Sequence, residues 1–106
     1  MLQEEKTIIE ERIVDVLKTV YDPEIPVNIF DLGMIYRIDV ADDAHVDIDM
    51  TFTSPTCPAA DFILEDVRTK VGGVQGVKDA VVNLVFEPQW EQSMMTDEAR
   101  EELGLD

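Results

Sequence analysis

Cys57 is the only cysteine in the chain, and it stands directly before Pro58 in the run Thr51-Phe52-Thr53-Ser54-Pro55-Thr56-Cys57-Pro58-Ala59-Ala60. The run reads as the end of a strand, a polar turn and the start of a helix. Proline suits the first helical position, where its missing N–H is not needed, so Cys57 is the expected N-cap. A sulfur held there faces unpaired backbone N–H groups and the positive end of the helix dipole, and both favour the thiolate. The chemistry on offer is attack on an electrophile or ligation of a soft metal. The competing reading is a buried cysteine packing as a small hydrophobe.

A Cys–His nucleophilic pair is excluded within one chain. His45, the only histidine, opens the second expected strand, and Cys57 follows its end. Eight strand residues span roughly 25 Å at about 3.3 Å each, far beyond hydrogen-bond reach. No catalytic constellation remains, so a non-enzymatic role is expected. A structural zinc site is unsupported, because no C-x-x-C, H-x-x-x-H or Cys/His cluster occurs. One cysteine also falls short of usual iron–sulfur ligation. Two chains each donating Cys57, completed by outside thiols or acids, would suffice for a labile cluster. Gly73-Val74-Gln75-Gly76 matches the G-x-x-G that clamps nucleotide backbones in KH modules, but its plainer use is to end a helix.

Composition narrows the partners. The 106 residues carry a formal net charge of −16. That excludes nucleic acid, whose binding is driven by Lys and Arg, and an anionic membrane surface. It serves solubility and also suits a basic protein partner. A lone cysteine forms no intramolecular disulfide and fits a reducing cytoplasm. The polar, acidic start Met1-Leu2-Gln3-Glu4-Glu5-Lys6 is unlike a signal peptide, and no apolar run is long enough to span a membrane. One domain over residues 1–106 is expected.

The elements that must position Cys57 follow from periodicity. Thr7 and Glu10 form a T-x-x-E capping box ahead of Ile9, Ile13, Val16, Leu17 and Val20 at helical spacing. Tyr21 closes this helix, since Asp22-Pro23 disfavours further α geometry. An irregular acidic loop runs from Asp22 to Gly33; such a loop carries either function or turn chemistry. Met34, Tyr36, Ile38 and Val40 alternate along a first strand, and Val46, Ile48, Met50 and Phe52 along a second. His45, Asp47, Asp49, Thr51 and Thr53 form the second strand's water-facing side. Asp42-Asp43 turns the two into an antiparallel hairpin, which sets Asp31 and Leu32 opposite Thr53 and Ser54.

A helix runs from Pro58 to about Val71 with the stripe Ala59, Phe62, Ile63, Val67 and Val71, ended by Gly72-Gly73. A third strand, about Ala80 to Phe86, is apolar on both faces except at Asn83, so a central or well-covered place is expected. Running parallel to the second strand, it returns Glu87-Pro88-Gln89-Trp90 to the Cys57 end. Thr96 to Leu103 is a short helix stopped by Gly104, with Leu105 packing locally. The fold class is α+β, a two-layer α/β sandwich in α-β-β-α-β-α order, with a three-stranded mixed sheet and helices on one face.

Taken together, Val20-Tyr21-Asp22-Pro23-Glu24-Ile25-Pro26-Val27-Asn28-Ile29, Asp31-Leu32-Gly33-Met34-Ile35-Tyr36, Thr51 to Pro58, and Pro88-Gln89-Trp90 resemble the SufT/PaaD-like metal–sulfur cluster assembly proteins. The D-P-E, D-L-G and T-x-T-x-x-x-C-P elements recur in order over nearly the whole chain. The resemblance implies a two-layer α/β fold and a role in maturing iron–sulfur proteins as a SUF-type assembly or targeting factor. It maps the functional cysteine, and possible cluster ligand, onto Cys57, with Asp22, Glu24, Asp31, Thr51, Thr53 and Thr56 as supporting motif. With one sulfur per chain, a transient rather than tightly bound iron–sulfur cluster is expected, shared in a homodimer or with a client. Its partners would be the iron–sulfur assembly machinery or client apoproteins. Two alternatives stay open: an acidic adaptor in which Cys57 only packs, and a helper for a phenylacetate-pathway monooxygenase.

Overall fold

The computed structural model describes residues 1–23, 25–53 and 58–105. Its elements follow the expected order: α1 (Gln3–Leu17), β1 (Ile35–Val40), β2 (His45–Met50), α2 (Ala60–Gly72), β3 (Asp79–Leu84), a 3-10 turn (Gln92–Met94) and α3 (Asp97–Glu102). β1 pairs antiparallel with β2, and β2 pairs parallel with β3. The sheet order is β1-β2-β3. α2 packs on β3 and on α1, and α1 also reaches β1, so these helices share one face of the sheet. Among the described residues, no helix is long and apolar enough to cross a membrane.

The core is built by the two periodicities. Val46, Ile48 and Met50 alternate along β2 and are fully buried, and Ile9, Ile13 and Leu17 stack at four-residue steps on α1. Ile63, Val67 and Val71 do the same on α2. Phe62 does not join them. It lies one step off that four-residue line and is 73% exposed, so its expected place in the apolar stripe is corrected.

Both helix starts also differ from expectation. α1 begins four residues before Thr7, with Leu2 at the cap and no side-chain cap bond. Thr7 is inside the helix, its hydroxyl donating to Gln3 O at 3.0 Å, so the capping box does not form. The helix ends at Leu17 rather than Tyr21, because the chain diverts there. Val20 O accepts from Ile29 N at 2.8 Å, and Tyr21 bridges Asn28. α2 starts at Ala60 with Ala59 as its cap. Pro58 therefore precedes the helix instead of opening it, and the expected N-cap at Cys57 is displaced to Ala59. Cys57 itself lies outside the described residues, as do Glu24 and Thr56.

The strand that occupies the centre is β2, not β3. β3 is an edge strand, covered by α2 on one face and half-open on the other. A run apolar on both faces suggested a central strand, but here it marks an edge whose apolar side chains stay partly exposed. The hairpin keeps the expected pairing, Val40 with Val46 and Ile38 with Ile48, until the register shifts between Ile35 and Arg37. The paired strands end at Ile35, so Asp31 and Leu32 turn away before reaching Thr53. At the other terminus Thr96 caps α3 through Ala99 N, and Gly104 (φ +71°) ends it, with Leu105 N donating back to Arg100 O. Leu103, rather than the exposed Leu105, packs toward the core.

Candidate functional site

The candidate site lies where β2 and β3 both end, on the side from which the Cys57 segment departs. Thr51, Phe52 and Thr53 continue from β2, while Phe86, Glu87, Gln89 and Trp90 arrive from β3. Together they line a cavity of about 260 Å³. Parallel pairing of β2 with β3 is what makes the two chain ends meet. Val85 N donates to Met50 O, extending the pairing one step past β3.

Three devices hold the wall formed by residues 86–90. The Trp90 indole N–H donates to Leu32 O at 2.8 Å. The Tyr36 hydroxyl donates to Pro88 O at 2.8 Å, and burial pushes its phenol pKa above the usual range. Gly33, at φ +80°, comes so close to Met94 that an added Cβ would collide with the Met94 carbonyl. The D-L-G turn thus needs glycine for both its left-handed backbone and its steric clearance. These residues form a frame that sequence reasoning caught only in part. Trp90 was expected at this end of the sheet, but the roles of Tyr36 and Gly33 depend on partners more than fifty residues away in the chain.

Thr51 departs most from expectation. Read as water-facing, it is only 1% exposed. Past the end of β2 its N–H donates to Met34 O at 2.8 Å. Its Oγ1 is buried near the Tyr36 hydroxyl, and no hydrogen bond of good geometry reaches it among the described residues. A buried hydroxyl left unmatched costs about 1–3 kcal/mol, and this one lines the cavity. Among the described residues the cleft therefore offers apolar walls from Phe52, Phe86 and Trp90, the Thr51 hydroxyl, and Glu87.

The acidic loop is organised separately. Asp31 accepts from Asn28 Nδ2 at 2.9 Å, and its own N–H donates to Asn28 Oδ1. Its carbonyl accepts from Thr96 N. This is turn chemistry, and it ties the loop to the cap of α3. Asp31 lines a different, polar cavity of about 290 Å³ with Asn28, Glu98 and Glu102. Asp22 is buried and its carbonyl accepts from Ile25 N. Asp31 and the Thr51–Thr53 segment lie beyond the same end of the sheet and line two different cavities.

Among the described residues, no group of three His, Cys, Asp or Glu is placed to hold a metal ion. His45 sits at the far end of β2, paired with Asp79.

Comparison with known proteins agrees with this geometry. Residues 10–84 match the family model described as iron–sulfur cluster assembly protein. An Fe-S protein maturation auxiliary factor from Porphyromonas gingivalis is 60% identical over 91% of each chain. The Fe-S protein maturation auxiliary factor SufT of Staphylococcus aureus is 36% identical, covering 81% of this chain and 98% of its own. A crystal structure of a domain of unknown function, DUF59, from Bacillus anthracis superposes with a TM-score of 0.87 at 33% identity, over 94% of this chain and 95% of its own. With the fold, the turn motifs and the matched segment in agreement, the chain belongs to the iron–sulfur cluster assembly protein family.

Proposed function

We propose that the chain is a maturation factor for iron–sulfur proteins, acting as an assembly or targeting factor rather than as an enzyme. The observation that carries this reading is the family match over residues 10–84, which includes the T-x-T-x-x-x-C-P run that begins at Thr51. Cys57 is the ligand through which a cluster is received or passed on, and Thr51 and Thr53 belong to the same run of sequence. One thiolate per chain needs further ligands from outside. The cluster is therefore cargo, held briefly between two chains or between this chain and a client apoprotein. Such a role fits a reducing cytoplasm. Asp22, Glu24, Asp31 and Thr56 are the supporting residues of the same motif set.

Replacing the chromosomal gene with Cys57→Ala tests this reading, with aconitase activity measured under high iron–sulfur demand. The proposal expects activity to fall to the level of a full deletion. Full activity would sink it and leave an acidic adaptor in which Cys57 only packs. Anaerobic reconstitution with iron and sulfide provides a second measurement. The expected cluster is labile, and lost in Cys57→Ser; a stable cluster on monomeric Cys57→Ser would contradict the assignment.

A further inference from the structure

The two edges of the sheet are built differently. β1 carries a register shift between Ile35 and Arg37 and the charged pair Arg37 and Asp39, devices that blunt an edge. β3 keeps unbroken register with β2 from Asp79 to Leu84 and contains neither proline nor lysine. Its one charge, Asp79, is occupied with His45. Among the described residues no strand pairs with its outer side. Since Val85 N bonds Met50 O, alternation turns the N–H and C=O groups of Ala80, Val82 and Leu84 away from β2.

Apolar side chains gather beside this open edge. Val81 is 41% and Leu84 38% exposed, Phe86 follows half-exposed, and Phe62 projects from the first turn of the helix that packs on β3. Exposed apolar groups along an unpaired edge are what soluble proteins remove unless something covers them. The charge of the surroundings tells what that is. The open face of the sheet presents Asp39, Asp47, Asp49 and Asp79 against Arg37 and His45, on a chain of net charge −16. A second copy would bring the same negative charge to the edge, whereas a basic segment would meet its complement.

We propose that β3 accepts an extended segment of a partner protein as a fourth strand, one in which apolar residues alternate with lysine or arginine. Backbone pairing at Ala80, Val82 and Leu84 supplies attachment. The apolar side chains lie toward Leu84 and Phe62, and the basic ones toward the carboxylates of the open face. The proposal goes beyond the maturation role and does not depend on it, because it involves neither Cys57 nor a cluster.

The test titrates the full chain with a short blocked peptide of alternating lysine and valine, followed by calorimetry and amide chemical shifts. Binding is expected, with shifts centred on Ala80–Leu84 and unchanged in Cys57→Ala. Val82→Pro removes an outward N–H without touching the β2 pairing, and it should weaken binding about tenfold or more, about 1.4 kcal/mol. Should that variant fail to fold, Val81→Lys, which places a repelling charge on the edge, should weaken binding to the same degree. A peptide alternating lysine and serine should bind at least about tenfold more weakly. Equal binding of the serine peptide would reduce the effect to charge alone and overturn the proposal, as would shifts centred elsewhere. A concentration-dependent dimer that Val81→Lys dissolves, in a protein that ignores the peptide, would assign the edge to a second copy instead.

Discussion

The two ends of the sheet are fastened by different physics. At the hairpin end the ties are charges in water: His45 with Asp79, and Lys6 with Asp42 at 2.7 Å. At the cleft end they are steric and directional: Gly33 against the Met94 carbonyl, the Trp90 indole on Leu32 O, and the Tyr36 hydroxyl on Pro88 O. Exposed ion pairs contribute little and tolerate replacement. A directional donor or a missing Cβ is harder to replace. The cleft end is therefore the one whose geometry a single substitution can destroy, as expected of the end that presents a site.

The comparison is sharpest at Gly33. Gly33→Ala forces a side chain into a left-handed backbone, at about 1–2 kcal/mol, and into a carbonyl, at about 1–3 kcal/mol more. A loss of about 3 kcal/mol is expected in urea unfolding. Gly104→Ala is the control: its φ is +71° but nothing lies within 4 Å of an added Cβ, so only the backbone strain should be lost. Equal costs at the two glycines would mean that the contact with Met94 does not constrain the cleft.

Trp90→Phe comes next. It keeps the ring but strands Leu32 O, and it should cost about 1–2 kcal/mol. The same substitution should lower the protection of the 86–90 amides in hydrogen exchange while leaving β2 unchanged. Uniform loss of protection across the sheet would show that the wall is not a separate unit.

Thr51→Val reverses the sign. Removing an unmatched buried hydroxyl should leave stability unchanged or raise it by up to about 1 kcal/mol. If the hydroxyl serves the site, maturation activity falls while stability does not. A clear destabilisation would show that Oγ1 has a structural partner after all.

The smallest effect is expected at the hairpin end. The Asp79 carboxylate raises the His45 pKa above its ordinary value of about 6.5. This pairing stabilises the fold fully below that ordinary value, and the contribution is lost as pH rises through the raised one. His45→Asn should therefore flatten a shallow decline in stability on the alkaline side of about 6.5. A slope that steepens in the variant would contradict the pairing.

Much of this architecture was legible in the residues because it depends on local periodicity. Two alternating runs flanking Asp42-Asp43 specify a hairpin. Four-residue steps from Ile9 and from Ile63 specify two helices, and the helix between β2 and β3 makes their pairing parallel. The cysteine run and the D-L-G turn were legible as motifs. Less legible were the features settled by competition between distant groups. Thr7 and Glu10 satisfied the capping pattern, yet the first helix continued past them to Gln3, because a capping box is worth about 1 kcal/mol and continuing the helix adds hydrogen bonds turn by turn. Phe62 falls within the apolar stripe at helical spacing, yet it lies off the Ile63–Val67–Val71 line and is exposed.

By itself, the sequence determined the order of elements, the buried set on β2, and the place of Cys57 between a strand and a helix. These follow from side-chain alternation and turn residues that act over a few positions. Only the tertiary structure decided which strand lies at the centre, that Thr51 is buried where it lines the cleft, and that Asp31 joins Asn28 and α3 rather than the cleft. Each of those outcomes depends on groups distant in the chain finding a hydrogen-bond partner or a van der Waals neighbour. The register shift between Ile35 and Arg37 lies just beyond the loop that carries Asp31, and no local pattern in the sequence records it.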